Sequence, residues 1–302
     1  MSLVWVPFGP GELPDLPEGL VLREVHDATA ATDVDQVEVF VPPYDLSQDL
    51  SDVLPRMTSL RVLQVQTAGT EDVEPLVPAG VQLCNARGVH DASTAELAMT
   101  LILASLRGVP DFVRAQPSGA WLQATRPALA DSRVVVLGAG SIAGALKARL
   151  EPFECEVVLV ARSAREGVRA TADLPELLPT ADVVVVLVPL TDETHHLVDA
   201  PMLAALRDGA LLVNVARGAV VDTDALLAET SAGRLLAALD VTDPEPLPPE
   251  HPLWTAPGVL ISPHVGGATT ARAPRMLRLV GEQLRRYADG EPLANVVVPA
   301  DS

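Results

Sequence analysis

Three strand-like runs in the second half of the chain each lead into a residue able to do chemistry. Arg217 follows "LLVNVA", the acids within Asp240 to Glu245 follow "LLAAL", and His264 follows "VLISP". An arginine offers a planar fork matched to a carboxylate. An imidazole holds or releases a proton near neutral pH, and a neighbouring acid orients it and favours its charged form. Each of these alone is an ordinary surface charge. Together they gather where the open sheets of α/β proteins hold ligands, at the carboxyl ends of parallel strands. The other histidines have weaker settings. His26 and His90 lie in the first part of the chain with no acid at a telling spacing, His195 and His196 occupy a loop, and His251 lies in a proline-rich stretch.

A fourth feature says what such a site would work on. "VVVLGAG" (134–140) leads into Ser141-Ile142-Ala143. Gly138 permits a tight turn, Gly140 lets a pyrophosphate approach the backbone, and Ala143 keeps helix and strand close. The free N–H groups of the following helix, near Ser141 and Ile142, favour an anion. This pattern between a strand and a helix reads as a dinucleotide site. Roughly twenty residues later such a site places an acid on the adenosine ribose. Here that position reads Ala161, followed by Arg162, Ser163 and, close by, Arg165. Loss of the acid removes repulsion of a 2′-phosphate, and gain of the arginine supplies a charge-assisted partner for one. The expected cofactor is NADP(H), preferred over NAD(H).

The elements that must position these residues follow a regular alternation from Arg133 onward. Strands are expected at 133–137, 157–161, 181–189, 210–216, 235–241 and 259–262, with helices near 141, 174–178, 201–209 and 223–233 between them. The run "ADVVVVLVP" is β-branched almost throughout, as a strand buried on both faces should be. This is a doubly wound parallel sheet. Upstream, "SLVWVPF" (2–8), "VEVFVP" (37–42), "LRVLQVQ" (60–66) and "VQLCN" (81–85) form a smaller α/β unit. One helix over 91–116, which Ser93 or Thr94 with Glu96 could cap, links the two. A final helix near 270–290 precedes "NVVVP" (295–299), a strand expected to return to the first unit. The fold class is thus α/β, two doubly wound Rossmann- or flavodoxin-like parallel-sheet domains with the cofactor in the cleft between them. The expected boundaries are residues 1–96 plus 285–302 for a discontinuous substrate domain, and 97–284 for the dinucleotide domain.

Composition narrows the partners. The 302 residues carry a net charge of −19, which repels nucleic acid and anionic membranes. Lys147 is the single lysine, so Schiff-base chemistry has one poor candidate. Cys84 and Cys155 make no disulfide framework. With 48% hydrophobic residues, a sizeable core is available. No apolar run reaches membrane-span length and the start lacks a signal-peptide pattern, so a cytoplasmic protein is expected. No metal is expected.

The pieces "VLGAGSIAGALKARL", "ADVVVVLVPLTDETHHLVD", "LLVNVARGAVVDTDALLAE", "LAALDVTDPEPLPPEHPLW" and "VLISPHVGGAT" resemble, in order, the D-isomer-specific 2-hydroxyacid dehydrogenases, the glyoxylate/hydroxypyruvate reductase-like members included. The likeness covers roughly residues 130–270. It extends more loosely to 67–107, where "TAGTE" stands for the family's S-x-G-x-D and Leu97 for a common His. The resemblance implies that Arg217 binds the substrate carboxylate, Glu245 (rather than the nearby Asp243) pairs with His264, and His264 is the general acid/base. It sets Asp240 toward the nicotinamide. Cofactor contacts then comprise Gly138, Gly140, Ser141, Ile142, Arg162, Ser163, Arg165, Pro189, Ala216, Asp240, His264 and Gly266. Substrate contacts comprise Ala68, Gly69, Arg217 and His264. Reduction of a small 2-oxo acid to a D-2-hydroxy acid is the implied reaction, in a homodimer. The rival reading is a nucleotide-sensing regulatory protein with no catalytic role.

Overall fold

The computed structural model describes residues 1–13, 16–44 and 50–300. They form two compact units, Met1–His90 with Thr270–Ser302, and Asp91–Thr269. The crossing helix therefore belongs whole to the second unit, and the final helix whole to the first.

The first unit is built on β1 (Ser2–Val6), β2 (Leu20–Glu24), β3 (Val37–Phe40), β4 (Val62–Gln64) and β5 (Gln82–Cys84). These five strands are parallel. A sixth, Val296–Val298, runs antiparallel to β5, so the sheet reads β2-β1-β3-β4-β5 and then this returning strand. Side chains alternate between two cores. Trp5, Val37, Phe40 and Leu63 face one, where Trp5 and Phe40 meet edge to face with centroids 6.2 Å apart. Val4, Val6, Val39 and Val62 face the other, which Met276, Val280 and Leu284 of the helix Arg272–Asp289 cover. That helix is also held by polar contacts. The buried Gln283 amide donates to Gln64 Oε1 (2.9 Å) and the Ala294 carbonyl (2.8 Å), and its oxygen accepts from Ala294 N–H (2.8 Å). The Tyr287 hydroxyl donates to Glu38 Oε2 at 2.7 Å.

The second unit carries seven parallel strands: β6 (Arg133–Leu137), β7 (Glu156–Ala161), β8 (Val168–Ala170), β9 (Val183–Val186), β10 (Leu211–Asn214), β11 (Leu236–Leu239) and β12 (Val259–Ile261). Their order is β12-β11-β10-β9-β6-β7-β8. The chain therefore reverses direction across the sheet between β6 and β9, where doubly wound sheets open a crevice. Alternation is strict. Val135, Leu137, Val184, Val186, Leu212 and Ala237 point to one face. Val134, Val136, Val183, Val185, Leu211 and Val213 point to the other, under Ala98, Ile102 and Leu106 of the helix Asp91–Arg107 and Leu146 and Leu150 of the helix Ser141–Leu150.

Several sequence expectations are corrected. The helix expected over 91–116 breaks at Gly108, whose φ of 69° lies in the left-handed region, and resumes as Val109–Ala115. It starts at Asp91, so Ser93 and Thr94 sit buried inside its first turn rather than capping it. The helix at 201–209 is only Ala200–Ala204, capped by Asp199 Oδ1 on Met202 N–H (2.9 Å). Strands β2 and β8 were not expected. Both are sheet edges whose side chains are mostly exposed or half-buried, so no apolar alternation marks them.

Burial and the bond to Glu38 push the Tyr287 hydroxyl up to about 12, and the same bond holds Glu38 below its usual range. Tyr287→Phe should cost about 0.5–1.5 kcal/mol at neutral pH, measured by urea unfolding. Because the folded tyrosine titrates above the unfolded one, its stabilisation is complete below about pH 10 and is lost as pH rises toward 12. The gap between wild type and variant should close over that window.

Candidate active site at the strand carboxyl ends

In a parallel sheet every strand delivers its following loop to the same edge. In the second unit that edge collects the glycine turn after β6, Arg162 after β7, Pro189 after β9, Arg217 after β10, Asp240 after β11 and His264 after β12. Neighbouring strands lie about 4.8 Å apart, so the turn after β6 and the loop after β10 are separated by two strand spacings, about 10 Å.

The glycine turn is shaped by close approach. Gly138 has φ 125°, and a Cβ there would stand 2.5 Å from the Leu187 carbonyl oxygen of the loop after β9. A Cβ on Gly140 would meet nothing within 4 Å, so that face of the turn is open. The turn borders a cavity of about 650 Å³ lined by Gly138, Gly140, Ala161, Arg162, Pro189 and Thr194 among others. The open glycine, the helix N-terminus at Ser141–Ile142 and a cavity of this size fit a bound dinucleotide. At its rim Arg162 Nη1 reaches Glu193 Oε2 (3.1 Å), and Arg165 Nη2 donates to the Ala139 carbonyl (3.0 Å). Ser163 is exposed beside them. The Ser141 hydroxyl donates to Asp91 Oδ1 at 3.1 Å.

The loop after β10 is clamped by Asn214, which is buried. Its amide donates to the Arg217 carbonyl (2.9 Å) and its oxygen accepts from Ala216 N–H (3.1 Å). Arg217 itself donates to the Ala216 carbonyl at 2.7 Å. The next residue must be glycine, because a Cβ on Gly218 would fall 1.9 Å from the Thr242 carbonyl oxygen. Sequence reading missed both roles, although an Asn two residues before a loop N–H is the mark of an Asx turn.

After β11, Asp240 is only 3% exposed. Its Oδ1 accepts from the Ser262 hydroxyl (2.6 Å) and Val265 N–H (2.9 Å), and its Oδ2 from Gly266 N–H (2.9 Å). Its carbonyl accepts from His264 N–H (2.7 Å). Asp240 therefore holds the loop that carries His264, a function its sequence position did not show. His264 adopts φ 51° and places Nδ1 2.5 Å from Glu245 Oε1. Asp243 contributes its backbone carbonyl to the Thr223 hydroxyl (2.8 Å). The structure thus brings Glu245 to His264.

The remaining histidines are engaged elsewhere. His26 pairs with Glu24 at 2.8 Å, a partner two residues away that the sequence reading passed over. His90 is buried with Nε2 on the Gln66 carbonyl (2.8 Å), His195 and His196 stack with centroids 4.1 Å apart, and His251 caps the turn at Leu253. In the first unit, the Ala68 and Gly69 carbonyls accept from Asn85 Nδ2 (2.8 Å) and the Thr67 hydroxyl (2.7 Å), so this loop after β4 is internally tied.

The sheet order and the turn after β6 define a dinucleotide-binding unit. Residues 99–266 match the family model for the NAD binding domain of D-isomer specific 2-hydroxyacid dehydrogenases. A glyoxylate reductase of Thermofilum pendens is 32% identical over 256 residues, 80% of this chain and 76% of that protein. The human glyoxylate reductase/hydroxypyruvate reductase is 31% identical over 249 residues, 78% of this chain and 76% of that protein. Among solved structures, an NADPH-dependent glyoxylate/hydroxypyruvate reductase from Sinorhizobium meliloti, in complex with NADP and sulfate, superposes with a TM-score of 0.84 at 27% identity, covering 98% of each chain. A D-isomer specific 2-hydroxyacid dehydrogenase from Xanthobacter autotrophicus, in complex with NADPH and MES, gives 0.82 at 29% identity over 99% of this chain and 98% of that one. The chain belongs to the D-isomer specific 2-hydroxyacid dehydrogenase family. It is an NAD(P)-dependent oxidoreductase acting on CH–OH donors.

Gly218→Ala should cost about 1–3 kcal/mol in urea unfolding, because the clash is with backbone rather than a flexible side chain. Turnover should fall further than stability explains, since the displaced loop carries Arg217. Gly144→Ala, in the helix after the glycine turn with nothing within 4 Å of the new Cβ, should instead stabilise by roughly 0.5–1 kcal/mol.

Proposed function

We propose that the chain is an NADP(H)-preferring reductase of small 2-oxo acids of the glyoxylate and hydroxypyruvate kind, forming the D-2-hydroxy acid with His264 as general acid/base. The observation that carries this reading is the 2.5 Å contact between His264 Nδ1 and Glu245 Oε1, at the same sheet edge as Arg217 and the glycine turn. The names of the glyoxylate reductase relatives support the substrate class.

In this mechanism the Glu245 carboxylate accepts a hydrogen bond from Nδ1–H, fixes the ring, and leaves Nε2 as the atom that exchanges a proton with substrate. Arg217 grips the substrate carboxylate with its fork and polarises the neighbouring carbonyl. When bound, a nicotinamide dinucleotide would supply the hydride chemistry. His264 gives its Nε2 proton to the carbonyl oxygen as negative charge develops there, and regains one from solvent. Gly138, Gly140, Ser141 and Ile142 would hold the pyrophosphate of that cofactor, and Pro189, Ala216, Asp240, His264 and Gly266 are the residues that would hold its nicotinamide part. Ala161, Arg162, Ser163 and Arg165 form the adenosine-ribose end and support the preference for a 2′-phosphate.

Initial rates with glyoxylate and hydroxypyruvate, each with NADPH and NADH, test the reading. kcat/KM should be higher with NADPH; equal or better efficiency with NADH overturns the cofactor preference, and no turnover of either acid overturns the substrate reading. His264→Ala should lower kcat by roughly 10²–10⁴-fold while nucleotide affinity holds. Glu245→Ala should be severe and Asp243→Ala mild; the reverse would move the acid to Asp243.

The homodimer belongs to the same proposal. Phe112, Val113, Trp121 and Leu122 form an exposed apolar surface in the second unit, with Trp121 90% exposed. A second copy covering this surface removes it from water. Light scattering should give twice the chain mass, and Trp121→Ser with Val113→Ser should shift the mass toward the single chain. A monomeric mass for the unmodified protein would refute the dimer.

A further inference from the structure

Arg162 already has a partner. Its Nη1 lies 3.1 Å from Glu193 Oε2, across the rim of the cavity that the glycine turn borders, and both residues line that cavity. The two arise from different strands, Arg162 after β7 and Glu193 in the loop after β9, on the two sides of β6. The Glu193 loop is closed on itself. The Thr194 hydroxyl donates to the Pro189 carbonyl (2.6 Å), Thr191 N–H donates to Thr194 Oγ1 (2.8 Å), and Thr194 and His195 N–H both donate to the Thr191 carbonyl (3.0 and 2.8 Å). A tied loop of this kind delivers Glu193 to one place. Arg165, three residues further on, is turned to the Ala139 carbonyl.

We infer that Glu193 is a specificity-determining residue that narrows the discrimination between the two nicotinamide dinucleotides. This rests on the reading of Arg162 as the partner of a 2′-phosphate. A phosphate of charge near −2 must take Arg162 from Glu193 and then sit beside the displaced carboxylate, a like charge. A bare ribose hydroxyl asks nothing of Arg162, and the ion pair stays closed. Glu193 therefore weakens binding of the phosphorylated dinucleotide more than that of the other. With side chains 83% and 71% exposed, the pair is a surface one and its influence is correspondingly modest.

Equilibrium binding of NADP⁺ and NAD⁺, measured by titration calorimetry without substrate, tests this on the wild type, Glu193→Gln, Arg162→Ala and the double variant. Glu193→Gln should tighten NADP⁺ by roughly two- to five-fold, and NAD⁺ by less than that. In the Arg162→Ala background the same change should give a smaller gain, because there is no ion pair left to break. An unchanged NADP⁺ affinity in Glu193→Gln, an equal gain for both dinucleotides, or a gain undiminished in the double variant overturns the inference. If Arg162→Ala alone retains full discrimination, the role of Arg162 in cofactor choice falls, and the inference with it. If Arg162→Ala abolishes discrimination while Glu193→Gln changes nothing, the cofactor reading stands and only the role of Glu193 is refuted.

Discussion

The buried carboxylate of Asp240 is the contact on which the site's geometry rests. A carboxylate taken out of water costs several kcal/mol unless donors replace the lost solvent. Three do so, the Ser262 hydroxyl and the N–H groups of Val265 and Gly266. All three come from the loop after β12, so that loop cannot move away without stranding the acid. His264 sits in its middle, with its own N–H on the Asp240 carbonyl. Its φ of 51° belongs to a region that His, Asn and Asp visit more readily than other non-glycine residues. The backbone of His264 is thereby held from β11, and its ring from Glu245.

That arrangement is available because the sheet is parallel. Helices on both faces bury alternate side chains of β6, β9 and β10, and the strands are left with one edge at which loops can be chemical rather than structural. Close packing among those loops then sets their positions. Gly138 lets the turn after β6 touch the loop after β9, and Gly218 lets the loop after β10 touch the one after β11. Charge adds to the effect of position. In a chain of net charge −19, the arginines at this edge are local exceptions, placed where an anionic cofactor and an anionic substrate would otherwise be repelled.

Much of this was legible in the sequence where one residue type serves one physical need. The glycine turn, the β-branched run at β9 and the order of Arg217, the acids and His264 could be read because each follows from backbone freedom, burial or strand polarity. The returning strand Val296–Val298 was visible as an isolated apolar triplet. What escaped depends on partners far apart in sequence or on weak local patterns. Nothing in "TDETHHLV" announces that Glu193 meets Arg162, 31 residues away. Asp240 was read as a residue set toward the nicotinamide, and its hold on the loop after β12 could be seen only once its three donors were placed around it. The break at Gly108 was hidden because apolar residues continue on both sides of it, and β2 and β8 are short edge strands whose inward faces are only half-buried, too little to imprint a period.

The return of Val296–Val298 to β5 has a consequence for synthesis on the ribosome. The first unit needs the helix Arg272–Asp289 to cover Val4, Val6, Val39 and Val62, and it needs the returning strand to protect the open edge of β5. Both are translated after the whole of Asp91–Thr269. The second unit has every strand and covering helix within that continuous stretch, and can complete its core as it emerges. The amino-terminal five strands wait, with one apolar face bare, through the time it takes to translate some 180 residues, roughly ten to forty seconds at ordinary elongation rates. The topology thus favours completion of the second unit before the first, the reverse of chain order.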